Sequence, residues 1–124
     1  MYGDTMVMRR RAGALREQAT DLRAMADRLV GQADAIAWTG RAADAMRERI
    51  RERSSHLREV AAGHDAAADS LEIHLAEVDR LTDAIADLEH RARSLQADGA
   101  LSGFTPPPSG HRDWLTVTLP EALT

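Results

Sequence analysis

Ala37-Trp38-Thr39-Gly40-Arg41 separates two long proline-free stretches, each with its own apolar heptad pattern. Neither pattern runs through it. Thr39 has N-cap chemistry, and Gly40 tolerates backbone angles that other residues resist. The stretch is therefore read as the corner of a helical hairpin.

Upstream of the corner, Met8, Ala12, Leu15, Ala19, Leu22, Ala26, Leu29, Ala33 and Ile36 recur in alternating steps of four and three. That rhythm is a heptad seam along one helix face. Alanine at alternate seam sites lets two antiparallel helices approach closely. The first helix is expected over about 5–37, roughly 50 Å at 1.5 Å per residue, with Asp4 or Thr5 as its cap and residues 1–4 frayed.

Downstream, the rhythm resumes with Ala43, Met46, Ile50, Arg53, Leu57, Val60, His64, Ala67, Leu71, His74, Val78, Leu81, Ile85, Leu88, Ala92 and Leu95. All are apolar except Arg53, His64 and His74. Ala61, Ala68 and Leu75 form a further row beside this seam. A break at Gly63 would give a third helix, but the register stays in phase across it, so one helix is expected over about 41–97. Folded about residue 39, the first helix ends opposite roughly residue 70. The row Leu71, Val78, Leu81, Ile85, Leu88, Leu95 then overhangs and must meet a partner helix or the chain's own tail.

Asp98-Gly99 carries a helix stop signal, with glycine at the left-handed capping position. Pro106-Pro107-Pro108 favours a polyproline II segment. Beyond it Leu115, Val117 and Leu119 alternate after Trp114, which fits a short strand or an extended peptide laid on the overhang. The expected class is thus all-α: a hairpin over 1–97 and an extended Pro-containing tail over 98–124, with Trp114, Leu115, Val117 and Leu119 as the tail's docking residues.

Composition narrows function. Aromatic residues are 3% of the 124, so the core is built from aliphatics and alanine. A two-helix hairpin encloses little on its own, and a partner is expected. With no cysteine there is no disulfide and no thiolate metal site. No cofactor or metal is expected: Asp87-x-x-His90 occurs once and reads as a solvated face, and His64 and His74 lie too far apart along one helix to share an ion. They read as interface histidines, with pH sensitivity of the interface as a second possibility. Ser54-Ser55-His56 are helix neighbours that do not face one another, so no enzyme is indicated. Net charge is −4, and all 16 basic residues are arginine. The run Arg41, Arg47, Arg49, Arg51, Arg53, Arg58 is interleaved with Glu48, Glu52 and Glu59, which reads as intrahelical pairing better than as a nucleic-acid surface. The acidic stretch from Asp65 to Glu89 contains only Arg80 as counter-charge, suggesting attraction to a basic partner surface. No apolar run is long enough to cross a bilayer, and the N-terminus lacks the apolar core of a cleaved signal peptide.

Trp38-x-Gly40 between two amphipathic helices, followed by Ala42-Ala43-x-Ala45-Met46, resembles the WXG (ESAT-like) family of small hairpin proteins handled by type VII (ESX) secretion systems. The resemblance covers about residues 5–97. It implies a hairpin that pairs into a four-helix bundle, with Trp38 and Gly40 at the corner. It also implies a partner, either another WXG-like protein or an effector's N-terminal region (a heterodimer favoured over a homodimer), and a role as export partner, targeting factor or chaperone. The expected location is cytoplasmic, with export as a complex and contact with the secretion machinery following from the family. Three features depart from the pattern. The Tyr-x-x-x-Asp/Glu export signal after the second helix is missing, since the only tyrosine is Tyr2. The second helix is long. The Pro-rich tail is additional. The alternative is a cytoplasmic coiled-coil scaffold or nucleoid-associated dimer using the arginine run; a detached immunity or adaptor subunit is a third reading.

Overall fold

A computed structural model describes residues 2–101 and 103–120. Helix α1 spans Tyr2–Ala35, helix α2 spans Arg41–Ala97, and a short 3₁₀ helix, η1, spans Arg112–Thr116. Helix α1 starts earlier than the cap signals suggest; of the stretch expected to fray, Met1 lies outside the described residues. Gly63 does not interrupt α2. The chain divides into two compact units, Met1–Leu75 and Ala76–Thr124. The division falls inside α2 and not at its end, because the tail packs on the last turns of the helix and forms one unit with them.

The first unit is an antiparallel helix pair, and its interior is made of small side chains. On α1 the buried residues are Ala12, Ala19, Ala26 and Ala33. On α2 they are Ala43, Ser54, Ala61, Ala68 and Leu75. From Ser54 onward both rows recur every seventh residue, the spacing of a single heptad position. The Ser54 hydroxyl donates to the Ala26 carbonyl at 3.1 Å. Steps of seven from that contact bring Ala61 level with Ala19 and Ala68 level with Ala12. Small residues at these three facing sites let the two backbones come together, and Ser54 is tolerated because its one polar group finds a buried acceptor.

This seam corrects the expected one on α2 between Met46 and His74, while Ala43 is buried as expected and the further row Ala61, Ala68 and Leu75 proves to be the interior one. Met46, Arg53, Ala67 and His74 are exposed, and Val60 is only half-buried. The interior row lies one residue later, at Ser54, Ala61, Ala68 and Leu75. Ranking rows by apolarity favoured Val60 and Met46 over serine and alanine. Close approach selects for size, so the small row goes inside and the larger side chains are displaced to its edge.

The second unit is α2 from Ala76 onward, plus the tail. A Schellman motif ends the helix: the Ala100 amide donates to the Leu95 carbonyl at 2.9 Å and the Gly99 amide to the Gln96 carbonyl at 3.0 Å. Gly99 sits at φ 72°, the left-handed value this motif needs. Trp114 is 3% exposed and packs with Ile85 and Ala92, flanked by Leu88, Leu101, Phe104, Val117 and Leu119. The tail holds no strand among its described residues. His111 caps η1 by accepting from the Asp113 amide, and Thr116 closes the turn onto the Asp113 carbonyl. That turn brings Trp114 inward and leaves Leu115 42% exposed, so Leu115 does not share a face with Val117 and Leu119.

A side chain enlarged at the seam has nowhere to go. Ala19→Leu should lower stability by about 1–3 kcal/mol, read as a reduced urea midpoint with unchanged slope, whereas substitution at exposed Gln18 should stay within about 0.5 kcal/mol. An Ala19→Leu midpoint equal to wild type would contradict a close-packed seam.

Candidate functional site

The small-residue seam divides the hairpin surface into two unlike flanks. Toward the end of the pair away from the corner, residues four positions after the seam alanines meet across one flank, and they are charged. Arg16 follows Ala12 and Glu72 follows Ala68; the Arg16 guanidinium donates to both Glu72 carboxylate oxygens, at 3.0 and 2.7 Å. Arg23 follows Ala19 and Asp65 follows Ala61; they pair at 2.7 Å. Asp69 adds a contact to Arg16 at 2.7 Å. Nearer the corner the signs exchange: Arg51 pairs with Asp34 at 3.5 Å, and Arg58 pairs with Asp27. The guanidinium of Arg16 holds the Glu72 carboxyl below the usual carboxylate range by hydrogen bonding, and Glu72 in turn raises Arg16. Arg80 does the same to Glu77 one turn away.

This ladder revises two expectations. The start of the acidic stretch is not without counter-charge, since Asp65, Asp69 and Glu72 are met by Arg16 and Arg23 from the other helix. Arg51 and Arg58 reach acids of α1 and not the glutamates beside them on α2. Sequence separation hid both pairings, which only the seam register reveals.

Residues three positions after each seam site occupy the opposite flank. They are Leu15, Leu22 and Leu29 on α1 and Leu57, His64 and Leu71 on α2, all half-buried. Met8, Ile36 and Ile50 extend these rows and are half-buried as well, and Val60 lies beside them, also half-buried. Met25 and Met46, at 44% and 38% exposure, lie along the rim of the same flank. The only titratable group in the two rows is His64, whose Nδ1–H donates to the Val60 carbonyl at 2.8 Å. The hairpin therefore has one ionic and one aliphatic flank.

At the corner, Gly40 lies at φ 110° and its carbonyl accepts the first bond of α2, from the Asp44 amide at 3.0 Å. Gly40 thus holds the capping position assigned above to Thr39. Arg47 fixes the loop. It falls on the α2 seam row, seven residues before Ser54, and its guanidinium donates to the Ile36 carbonyl at 2.8 Å and to the Trp38 carbonyl. It also pairs with Asp44 at 3.2 Å. Inside the arginine run Arg47 read as one of many solvated charges; its place in the heptad was the signal that set it apart. Trp38 is held only through its backbone: the residue is 65% exposed.

The residues expected to meet a partner along the second half of α2 separate into two groups. Leu71 belongs to the aliphatic flank of the hairpin. Ile85 and Leu88 lie in the cluster around Trp114, Leu95 is buried, and Val78 and Leu81 are half-buried. Among the tail-docking residues, Trp114, Val117 and Leu119 are in that cluster and Leu115 is not. Asp87 and His90 are exposed, and no group of residues among those described could hold a metal ion. No helix among the described residues is long and apolar enough to cross a membrane. Comparison of the chain with models of protein families, with characterised proteins and with solved structures gave no match.

Because Glu72 titrates at a lower pH folded than unfolded, its pairing contributes stability above the ordinary carboxylate value of about 4.3, and that contribution disappears as pH falls through the folded value. Arg16→Ala should therefore lower the urea midpoint at pH 7, and the gap from wild type should close on acidification to about pH 2–3. A gap of the same size at both pH values would show that Arg16 acts by packing alone.

Proposed function

We propose that the chain is a WXG-like protein of a type VII secretion locus that pairs through its hairpin with another small helical protein or with an effector's N-terminal helical region. It acts there as export partner, targeting factor or chaperone. The observation that carries this reading is the aliphatic flank. Two rows, of leucine, isoleucine and methionine with His64 among them, lie side by side along the hairpin, and the two helices bury them only in part. Two helices packed on a small-residue seam form half of a four-helix bundle, and a second hairpin laid on the flank completes it. Burying these rows is the driving force, at roughly 25 cal/mol per Å² of apolar surface removed from water.

The corner supports the same reading. Trp38 is presented on a loop whose Ile36 and Trp38 carbonyls are held by Arg47, and the residue is largely exposed. A large exposed aromatic on a fixed turn is the kind of group that anchors recognition by a partner pocket. Trp38 therefore has the exposure that recognition by secretion machinery requires, and the pairing partner supplies the Tyr-x-x-x-Asp/Glu signal that this chain lacks. The ionic flank argues against the scaffold alternative: Arg47, Arg51 and Arg58 are engaged within the hairpin, which leaves a smaller basic surface for nucleic acid.

Co-expression with small helical proteins encoded beside it should yield a 1:1 complex by light scattering. Leu22→Glu should abolish that complex, and Trp38→Ala should leave it intact while lowering its export. A homodimer that ignores every neighbour and survives Leu22→Glu would overturn the reading.

A further inference from the structure

We propose that the C-terminal tail is an intramolecular cover over a self-pairing row of α2, and that its release lets the same row of a second copy take its place in antiparallel orientation. The inference concerns the second unit alone and goes beyond the hairpin-pairing reading without resting on it.

The row consists of Ile85, Leu88, Ala92 and Leu95. Its cover in the structure is the tail, anchored by Trp114 of η1, and the fit is incomplete. A cleft of about 240 Å³ remains between Ala92, Arg93 and Gln96 on the helix and Pro106, Pro107 and Trp114 on the tail. Surface lining such a gap lacks the dispersion contacts that a closely packed occupant supplies. The polar hold on the tail is narrow as well. One carboxylate, Glu89, accepts from the Ser109 hydroxyl at 2.9 Å and from the Gly110 amide. The Trp114 indole N–H is satisfied inside the tail by the Pro108 carbonyl, at 3.0 Å, and so does not tie the tail to the helix.

A second copy fits what the tail leaves. In an antiparallel pair of these rows centred near residue 90, Leu88 of each copy faces Ala92 of the other, and Ile85 faces Leu95. Large side chains then meet small or complementary ones, the alternation that lets facing helices interdigitate. The charges along one edge agree. Glu89 and Arg93 lie on the same side of the row, and the two-fold relation brings each Glu89 beside the other copy's Arg93. Arg93 lines the cleft and has no ion-pair partner among the described residues. On release, Glu89 exchanges the tail's hydroxyl and amide for a guanidinium, a charge-assisted and potentially bidentate bond. The tail prevails in the isolated chain because it is tethered and acts at high effective concentration.

The test uses the full chain and the concentration dependence of its mass by sedimentation. Trp114→Ala removes the anchor and leaves the row untouched. It should self-associate at least about tenfold more tightly than wild type, because the row is no longer masked in most molecules. Leu88→Glu or Arg93→Glu in the Trp114→Ala background should return association to the wild-type level, and Leu22→Glu, on the hairpin, should not. Should Trp114→Ala lose helical circular dichroism, Phe104→Ala, a milder loosening of the cover, replaces it with the same expected direction. The proposal is overturned if the helical variant associates no more tightly than wild type. It is equally overturned if the added association survives Leu88→Glu, or if Leu22→Glu abolishes it.

Discussion

Everything in the first unit follows from how closely α1 and α2 approach. Ala12, Ala19 and Ala26 face Ala68, Ala61 and Ser54, and nothing larger than a methyl or a hydroxymethyl occupies those three facing sites; Ala33, nearer the corner, comes level with Arg47. Such a seam contributes little by side-chain burial, at about 0.8 kcal/mol for each carbon removed from water. Its effect is geometric. By excluding large residues from the centre it displaces them to the edges, and the heptad phase decides which edge receives leucine and which receives arginine and aspartate.

The two edges do different work. Exposed ion pairs of the kind seen at Arg16, Arg23, Arg51 and Arg58 typically add only about 0–1 kcal/mol each. Their pattern is nonetheless directional: cations sit on α1 far from the corner and on α2 near it, with acids opposite in each case. A slip by one heptad would place Arg58 near Asp34 and leave Asp27 without it, so the ladder favours a single register. The aliphatic edge is the reverse case, rich in burial free energy that the hairpin alone realises only in part. Arg47 joins the two ends of the design, since it closes the seam row and at the same time fixes the loop that presents Trp38.

Much of this was legible in the sequence. The corner at Trp38-Thr39-Gly40, the α1 seam, the uninterrupted passage through Gly63 and the stop at Gly99 all follow from local chemistry and periodicity, which short-range steric rules govern. The α2 seam was displaced by one residue because apolarity and size rank the same positions differently: Val60 is the better hydrophobe, and Ala61 the better neighbour for Ala19. The charge ladder and the role of Arg47 depend on which residues come level across the pair, and that cannot be read until the seam is fixed. In the tail, the alternation of Leu115, Val117 and Leu119 resembled a strand. The His111 cap turned it into a 3₁₀ helix instead, a case of side-chain capping overriding a short periodic pattern.

The chain contains no cysteine, so engineered thiols can report the seam without interference. The measurement that bears most directly on the account compares disulfide closure in two double variants, Ala19→Cys with Ala61→Cys and Ala19→Cys with Val60→Cys. A disulfide needs Cα atoms about 5.5–6 Å apart and converging Cβ vectors, a condition met at a close small-residue contact and not at its rim. The account predicts rapid, near-complete closure for the Ala61 pair and little for the Val60 pair. Preferential closure of the Val60 pair would place the leucines inside the hairpin, and the aliphatic flank on which the pairing function rests would not exist.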